Sequence, residues 1–144
     1  MVVKKYDLNL LGYMNIFKKV TGVNLKDCFI LDDVILFVTE IGKAGLAIGK
    51  GGKNIQNLKG NLNKEFKIIE FAEKPEKLAE NFVFPAKPVS VSREDGKLSI
   101  LFATGRERRM LLTDSQKRLK QLKAIIKRYY PDIEEVLIPQ QGTA

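Results

Sequence analysis

The chain has 144 residues, 44% of them hydrophobic, with no histidine, one cysteine and a formal net charge of +8. That length holds one ordinary domain or two small ones, and that apolar content excludes global disorder. Without histidine there is no Ser-His or Cys-His dyad and no histidine metal site, and a lone cysteine closes no internal disulfide.

No apolar run reaches the roughly 18 residues of a membrane span. The opening MVVKKYDLNLLGY also lacks the apolar stretch and cleavage site of a signal peptide, so a soluble cytoplasmic protein is expected. Residues 8–21 place Leu8, Leu11, Ile16 and Val20 near helical spacing, with Gly22 as the C-terminal cap. Residues 28–40, CFILDDVILFVTE, are apolar on both sides of Asp32-Asp33. This predicts two strands with a tight connection, or one strand with a bulge. Cys28 in that run reads as a buried small hydrophobe. Asp32 and Asp33 are the one carboxylate pair that suits a magnesium-dependent nuclease, and they read better as a solvated turn.

Residues 42–49 are short and rich in Ala and Gly. Residues 53–63 carry apolar side chains at 55, 58 and 62 and predict a helix. FKIIEF (66–71) predicts a strand, and 73–83 a short helix with Pro75 in its first turn. FPAKP (84–88) stops any regular element, which sets the expected domains at 1–84 and 85–144. Beyond it, Val89, Val91, Leu98, Ile100 and Phe102 alternate around Asp95-Gly96, a strong hairpin signal. Residues 104–130 predict helix, with Leu119, Leu122, Ile126 and Tyr129 on one stripe; Pro131 ends it and 133–139 predict a last strand. Helix, strand, strand, helix, helix, strand is followed by strand, strand, helix, helix, strand. The chain repeats one architecture, an α+β pair of units with helices packed on one face of a three-stranded sheet.

Between the helices flanking residue 50 lies Ile48-Gly49-Lys50-Gly51-Gly52-Lys53-Asn54-Ile55. A Walker A loop is excluded: Ala44 and Ala47 stand where its first glycine belongs, and no hydroxyl residue follows either lysine. A dinucleotide fingerprint is excluded by Asn54 at its third glycine position. No cofactor, metal or catalytic residue is expected, and no enzymatic activity. The pattern I-G-x-x-G-x-x-I resembles the KH domain, whose GXXG loop clamps the backbone of single-stranded nucleic acid. Gly49 and Gly52 lack a β-carbon, so a sugar-phosphate backbone is able to approach. The amides at the helix start near Gly52 face phosphates, Lys50 and Lys53 add charge, and Ile48 and Ile55 anchor the two helices to the sheet. A helix before the first two strands is the order of the prokaryotic, type II KH fold.

In the second unit, Leu112-Thr113-Asp114-Ser115-Gln116 align with Ile48 to Gly52, and the glycines are gone. Nine basic and two acidic side chains lie within 104–130. Arg106, Arg108, Arg109, Lys117 and Lys120 are either a solvated helix face or a continuation of an RNA surface.

Two such units joined by a short proline-containing link resemble the archaeal NusA-like transcription factors, a tandem type II KH family. The segments that carry the resemblance are AIGKGGKNIQNLK, the stretch from IIEF through PAKPVSV, and GRERRMLL. The resemblance implies a non-enzymatic factor acting in elongation, termination or antitermination, single-stranded RNA and RNA polymerase as partners, and a chain that is a whole small protein; the sequence does not reveal the oligomeric state, and a monomer is the expectation. A ribosome-associated or ribosome-assembly KH protein is the alternative.

Overall fold

The structure, a computed structural model, describes residues 8–140. By internal contacts the chain divides into two compact units, residues 1–71 and 72–144. Both are mixed α and β.

The first unit opens with α1 (Leu8–Thr21), closed where the Gly22 amide donates to Lys18 O at 2.8 Å. The two-strand alternative for 28–40 is the one adopted. Strand β1 (Leu25–Leu31) turns at Asp32-Asp33 into β2 (Val34–Thr39), antiparallel, with a register shift between Leu25 and Asp27. Two short helices follow, α2 (Ala44–Ile48) and α3 (Lys53–Asn61), with a tight turn at Lys50–Gly52 between them. Strand β3 (Phe66–Glu70) then pairs with β2 in parallel, giving the sheet order β1-β2-β3. A parallel neighbour needs a crossover, and α2–α3 supply it.

The core of this unit follows from periodicity. Phe17 of α1 and Phe37 of β2 stack with ring centroids 4.6 Å apart, and Cys28, Ile35, Ala47, Leu58 and Leu62 join them. Alternate residues of β2 face the helices, which is why Ile35 and Phe37 belong to this cluster.

The second unit contains α4 (Pro75–Val83), β4 (Ser90–Glu94), β5 (Lys97–Leu101), α5 (Gly105–Tyr129) and β6 (Glu135–Leu137). The compact division falls thirteen residues before the sequence-expected boundary after residue 84, so α4 lies in the second unit. The reason is its apolar face: Leu78, Ala79, Phe82 and Val83 are buried, and α4 packs on β4, β5 and α5. The prolines at 85 and 88 break the connection between α4 and β4. Asp95-Gly96 makes the predicted hairpin turn, and β6 pairs β5 in parallel, for the order β4-β5-β6.

Helix α5 is interrupted. Thr113 is extended (φ −78°, ψ 170°), and Asp114, Ser115 and Gln116 are left-handed with φ of 56°, 56° and 62°. Thr104 caps its start, its hydroxyl accepting from the Glu107 amide at 3.3 Å. The last strand is shorter than expected, residues 135–137 rather than 133–139. The Ile133 amide instead donates to Tyr130 O, in the turn after the helix. Each unit thus runs helix, strand, strand, helix, loop, helix, strand.

Candidate functional site

The predicted motif forms a turn between α2 and α3. Ile48 ends α2, Lys50–Gly52 form the turn, and Lys53, Asn54 and Ile55 begin α3. Gly49, Gly51 and Gly52 have φ of 84°, 63° and 76°, the left-handed region where an L side chain is strained.

The three glycines differ in their surroundings. A β-carbon on Gly51 or Gly52 would meet nothing within 4 Å, whereas one on Gly49 would strike Asn54. Asn54 is held there by its side chain, whose Nδ2 donates to Leu46 O at 3.2 Å, spanning the loop from α3 to α2. Asn54 is therefore occupied within the fold.

Lys50 and Lys53 are exposed and have no ion-pair partner among the described residues. No side chain caps the N-terminus of α3 and no acidic residue lies in its first turn. Positive charge and the helix dipole are left unopposed where the loop meets solvent. The other end of α2 is fixed to the sheet: the Ala44 amide donates to Glu70 Oε1 at 3.1 Å, from the end of β3.

The two isoleucines part company. Ala47, not Ile48, is the buried residue of α2, and Ile48 is 36% exposed beside the loop. Ile55 is half-buried and lines a groove of about 460 Å³ between α3 and β3. Lys59 and Leu62 continue its α3 wall, and Phe66, Lys67 and Ile68 its β3 wall. Asn63, Lys64 and Glu65 form the lip that joins them, and Lys64 Nζ is paired with Asp33 Oδ1. The sequence reading missed this lining. Lys59 stands four residues after Ile55, one helical turn on, and that spacing was the available signal.

In the second unit the aligned loop is Thr113–Gln116. Its left-handed pair Ser115 and Gln116 matches Gly51 (ψ 19°) and Gly52 (ψ 17°), with ψ of 32° at both. A smaller groove of about 280 Å³ lies between the C-terminal half of α5 and β6, with Lys123 and Lys127 on one wall and Glu134 and Glu135 on the other. Arg106, Arg109 and Lys120 are exposed on α5, and Lys117 is half-buried. Arg108 is committed elsewhere: its Nε donates to Ile138 O at 2.9 Å, tying α5 to the segment after β6.

Among the described residues no helix is long and apolar enough to cross a membrane, and no group of three acidic or cysteine side chains is placed to hold a metal ion.

The KH domain family model matches residues 13–82, a span that runs past Phe71 into α4. A probable transcription termination protein NusA from Methanococcus vannielii is 36% identical over 72 residues, covering 50% of this chain and 42% of the relative. A protein of the same description from Methanocaldococcus jannaschii is 29% identical over 116 residues, covering 78% of this chain and 63% of the relative. The matched part of the chain thus spans less than two thirds of either relative. A solved structure described as the crystal structure of APE1850 shares the fold, with a TM-score of 0.70 over 92% of this chain and 99% of that one at 24% sequence identity. Residues 13–82 carry a KH domain, and the chain is similar to archaeal proteins described as probable transcription termination protein NusA.

Proposed function

We propose that the first unit clamps the backbone of single-stranded RNA with its Gly49–Gly52 loop. The observation that carries this reading is the pair Gly51 and Gly52, left-handed with open space where β-carbons would stand, flanked by the unpaired charges of Lys50 and Lys53. Phosphates fit that open space, within reach of the uncapped first turn of α3. The bases then lie along the groove between α3 and β3, with Ile48 and Ile55 beside the loop and Lys59 and Lys67 at the walls. Asn54 serves by holding the loop rather than by touching RNA.

The repeated element order supports two tandem type II KH units. The compact division gives the second unit its own leading helix, α4, which the expected division at 84/85 assigns to the first. We take the second unit to be KH-like without a clamp. Arg106, Arg109, Lys117 and Lys120 on its α5 form a secondary RNA surface; Arg108, already bonded to Ile138, contributes less.

The relatives are described as probable transcription termination proteins, and we assign this chain the same kind of role: a non-enzymatic, cytoplasmic RNA-binding factor acting with RNA polymerase. The test is equilibrium binding to single-stranded RNA by the wild type and by K50D/G51D. The double variant is expected to stay folded, because Gly51 has room for a side chain, and to lose binding. Undiminished affinity in a folded K50D/G51D chain removes the clamp assignment. Co-purification with ribosomal particles in place of RNA polymerase removes the transcription role and leaves RNA binding intact.

A further inference from the structure

The two units build one junction with different chemistry. In each, the hairpin turn faces the segment that leads into the last strand. The first turn is Asp32-Asp33, between the paired residues Leu31 and Val34. The second is Asp95-Gly96, between the paired residues Glu94 and Lys97. Ile35 pairs with Phe66 where Leu98 pairs with Val136. Asp33 therefore corresponds to Gly96, and Lys64 to Glu134.

In the second unit the junction is made by backbone. The Glu134 amide donates to Gly96 O at 2.7 Å, and a β-carbon on Gly96 would lie 3.4 Å from Asp132 O. In the first unit it includes a side-chain ion pair, with Lys64 Nζ donating to Asp33 Oδ1.

Turn chemistry does not call for an aspartate at this position. Asp33 is left-handed with φ of 66°, and Gly96 holds the same place at φ 74° without the strain of a side chain. Stability does not call for it either, since Asp33 is 85% exposed and ion pairs so open to water contribute little. The ion pair also has a consequence at the groove. Lys64 sits in the lip between Asn63 and Glu65, and the Asp33 carboxylate is the partner to which its ammonium donates there. The same hydrogen bond raises the Lys64 pKa, so the group stays charged while engaged.

Resting on the RNA reading above, we propose that Asp33 is a specificity-determining positioning residue: by holding Lys64 it withholds that charge from phosphates and sets the groove lip, so that the groove discriminates among bases instead of binding any polyanion.

D33G tests this without endangering the fold, because it installs the residue that the second unit uses at the same turn position. Binding is measured by fluorescence anisotropy over a series of salt concentrations, for the wild type, D33G and D33G/K64A. The probes are single-stranded RNA homopolymers of each base and a random-sequence single-stranded pool. D33G is expected to bind every probe more tightly and to steepen the slope of log affinity against log salt by about 0.7, the mark of one added phosphate contact. The ratio between its best and worst homopolymers is expected to narrow. Removing Lys64 as well should return the slope to the wild-type value while the ratio stays narrow. A wild type that binds RNA, with D33G unchanged in slope and ratio, overturns this inference alone. A wild type that binds none of the probes overturns the RNA reading and this inference with it.

Discussion

A β-carbon on Gly49 would lie 2.9 Å from the backbone nitrogen of Asn54, and equally close to Cγ and Nδ2 of its side chain. Asn54 fills that space because its amide reaches back to Leu46 O across the loop. Gly49 is thus required by the protein's own packing, while Gly51 and Gly52 have open space above them, where the proposed clamp places its ligand.

The first prediction follows for Gly49. G49A combines a clash against backbone with a left-handed φ, and is expected to cost about 2–4 kcal/mol. Urea unfolding of the full chain measures this. A loss below about 1 kcal/mol would show that Asn54 moves aside freely, and the loop would then not be pre-organised.

Gly51 and Gly52 predict the opposite pattern. G51S and G52S each have open space for the side chain, so the cost is the left-handed strain alone, about 1 kcal/mol. Affinity for single-stranded RNA is expected to fall about tenfold or more, because in the proposed clamp the β-carbon occupies the path of the backbone. Paired urea and anisotropy titrations separate the two quantities. Full RNA affinity in both serine variants would place the clamp elsewhere.

The contrast among these glycines shows what the sequence was able to convey. The spacing of Gly49 and Gly52, their flanking lysines and the strand order were legible, because each is a local pattern with a period or a fixed offset. That Gly49 serves the fold was not, since the fact depends on where Asn54 folds back. Arg108 is similar: nothing local marks it as bonded to Ile138, thirty residues on. The prolines of FPAKP drew the expected boundary because proline stops elements, yet no sequence signal distinguishes a break between units from a break within one. The compact division falls instead between Phe71 and Ala72, a stretch with neither glycine nor proline. The interruption in α5 was legible only by alignment with the first unit, because Thr113–Gln116 contain no residue that forces left-handed backbone.

Cys28 offers a prediction in pH. It is fully buried, and its thiol is pushed up to about 12, by burial first and the Asp27 carboxylate second. Between its ordinary value of 9.0 and about 12 the unfolded chain releases the thiol proton while the folded chain keeps it. The contribution of this group to stability is therefore complete below pH 9 and is lost as pH rises through that window. Urea midpoints measured across it should fall more steeply for the wild type than for C28A, the difference isolating this thiol from the lysines that titrate nearby. The native thiol should also resist iodoacetamide until denaturant opens the chain. Rapid alkylation of the folded protein would contradict the buried placement.

The second unit allows the clamp to be built rather than broken. Ser115 and Gln116 already hold the left-handed backbone of Gly51 and Gly52, but their side chains stand where the backbone of a ligand would run, and Asp114 opposes its charge. The second unit also has a groove of about 280 Å³ between the C-terminal half of α5 and β6, with Lys123 and Lys127 on its wall. In D114K/S115G/Q116G two glycines remove left-handed strain, so the triple variant is expected to be more stable than the wild type by about 1 kcal/mol. It should also bind single-stranded RNA more tightly, with a salt slope steeper by about 0.7 for the added lysine and a longer stretch of RNA protected from nuclease. Greater stability without any change in slope or footprint would mean that the second groove cannot receive RNA even with a loop to hold it. Its walls, where Glu134 and Glu135 face Lys123 and Lys127, would then be the reason, and the missing glycines a consequence of a surface that had no phosphates to admit.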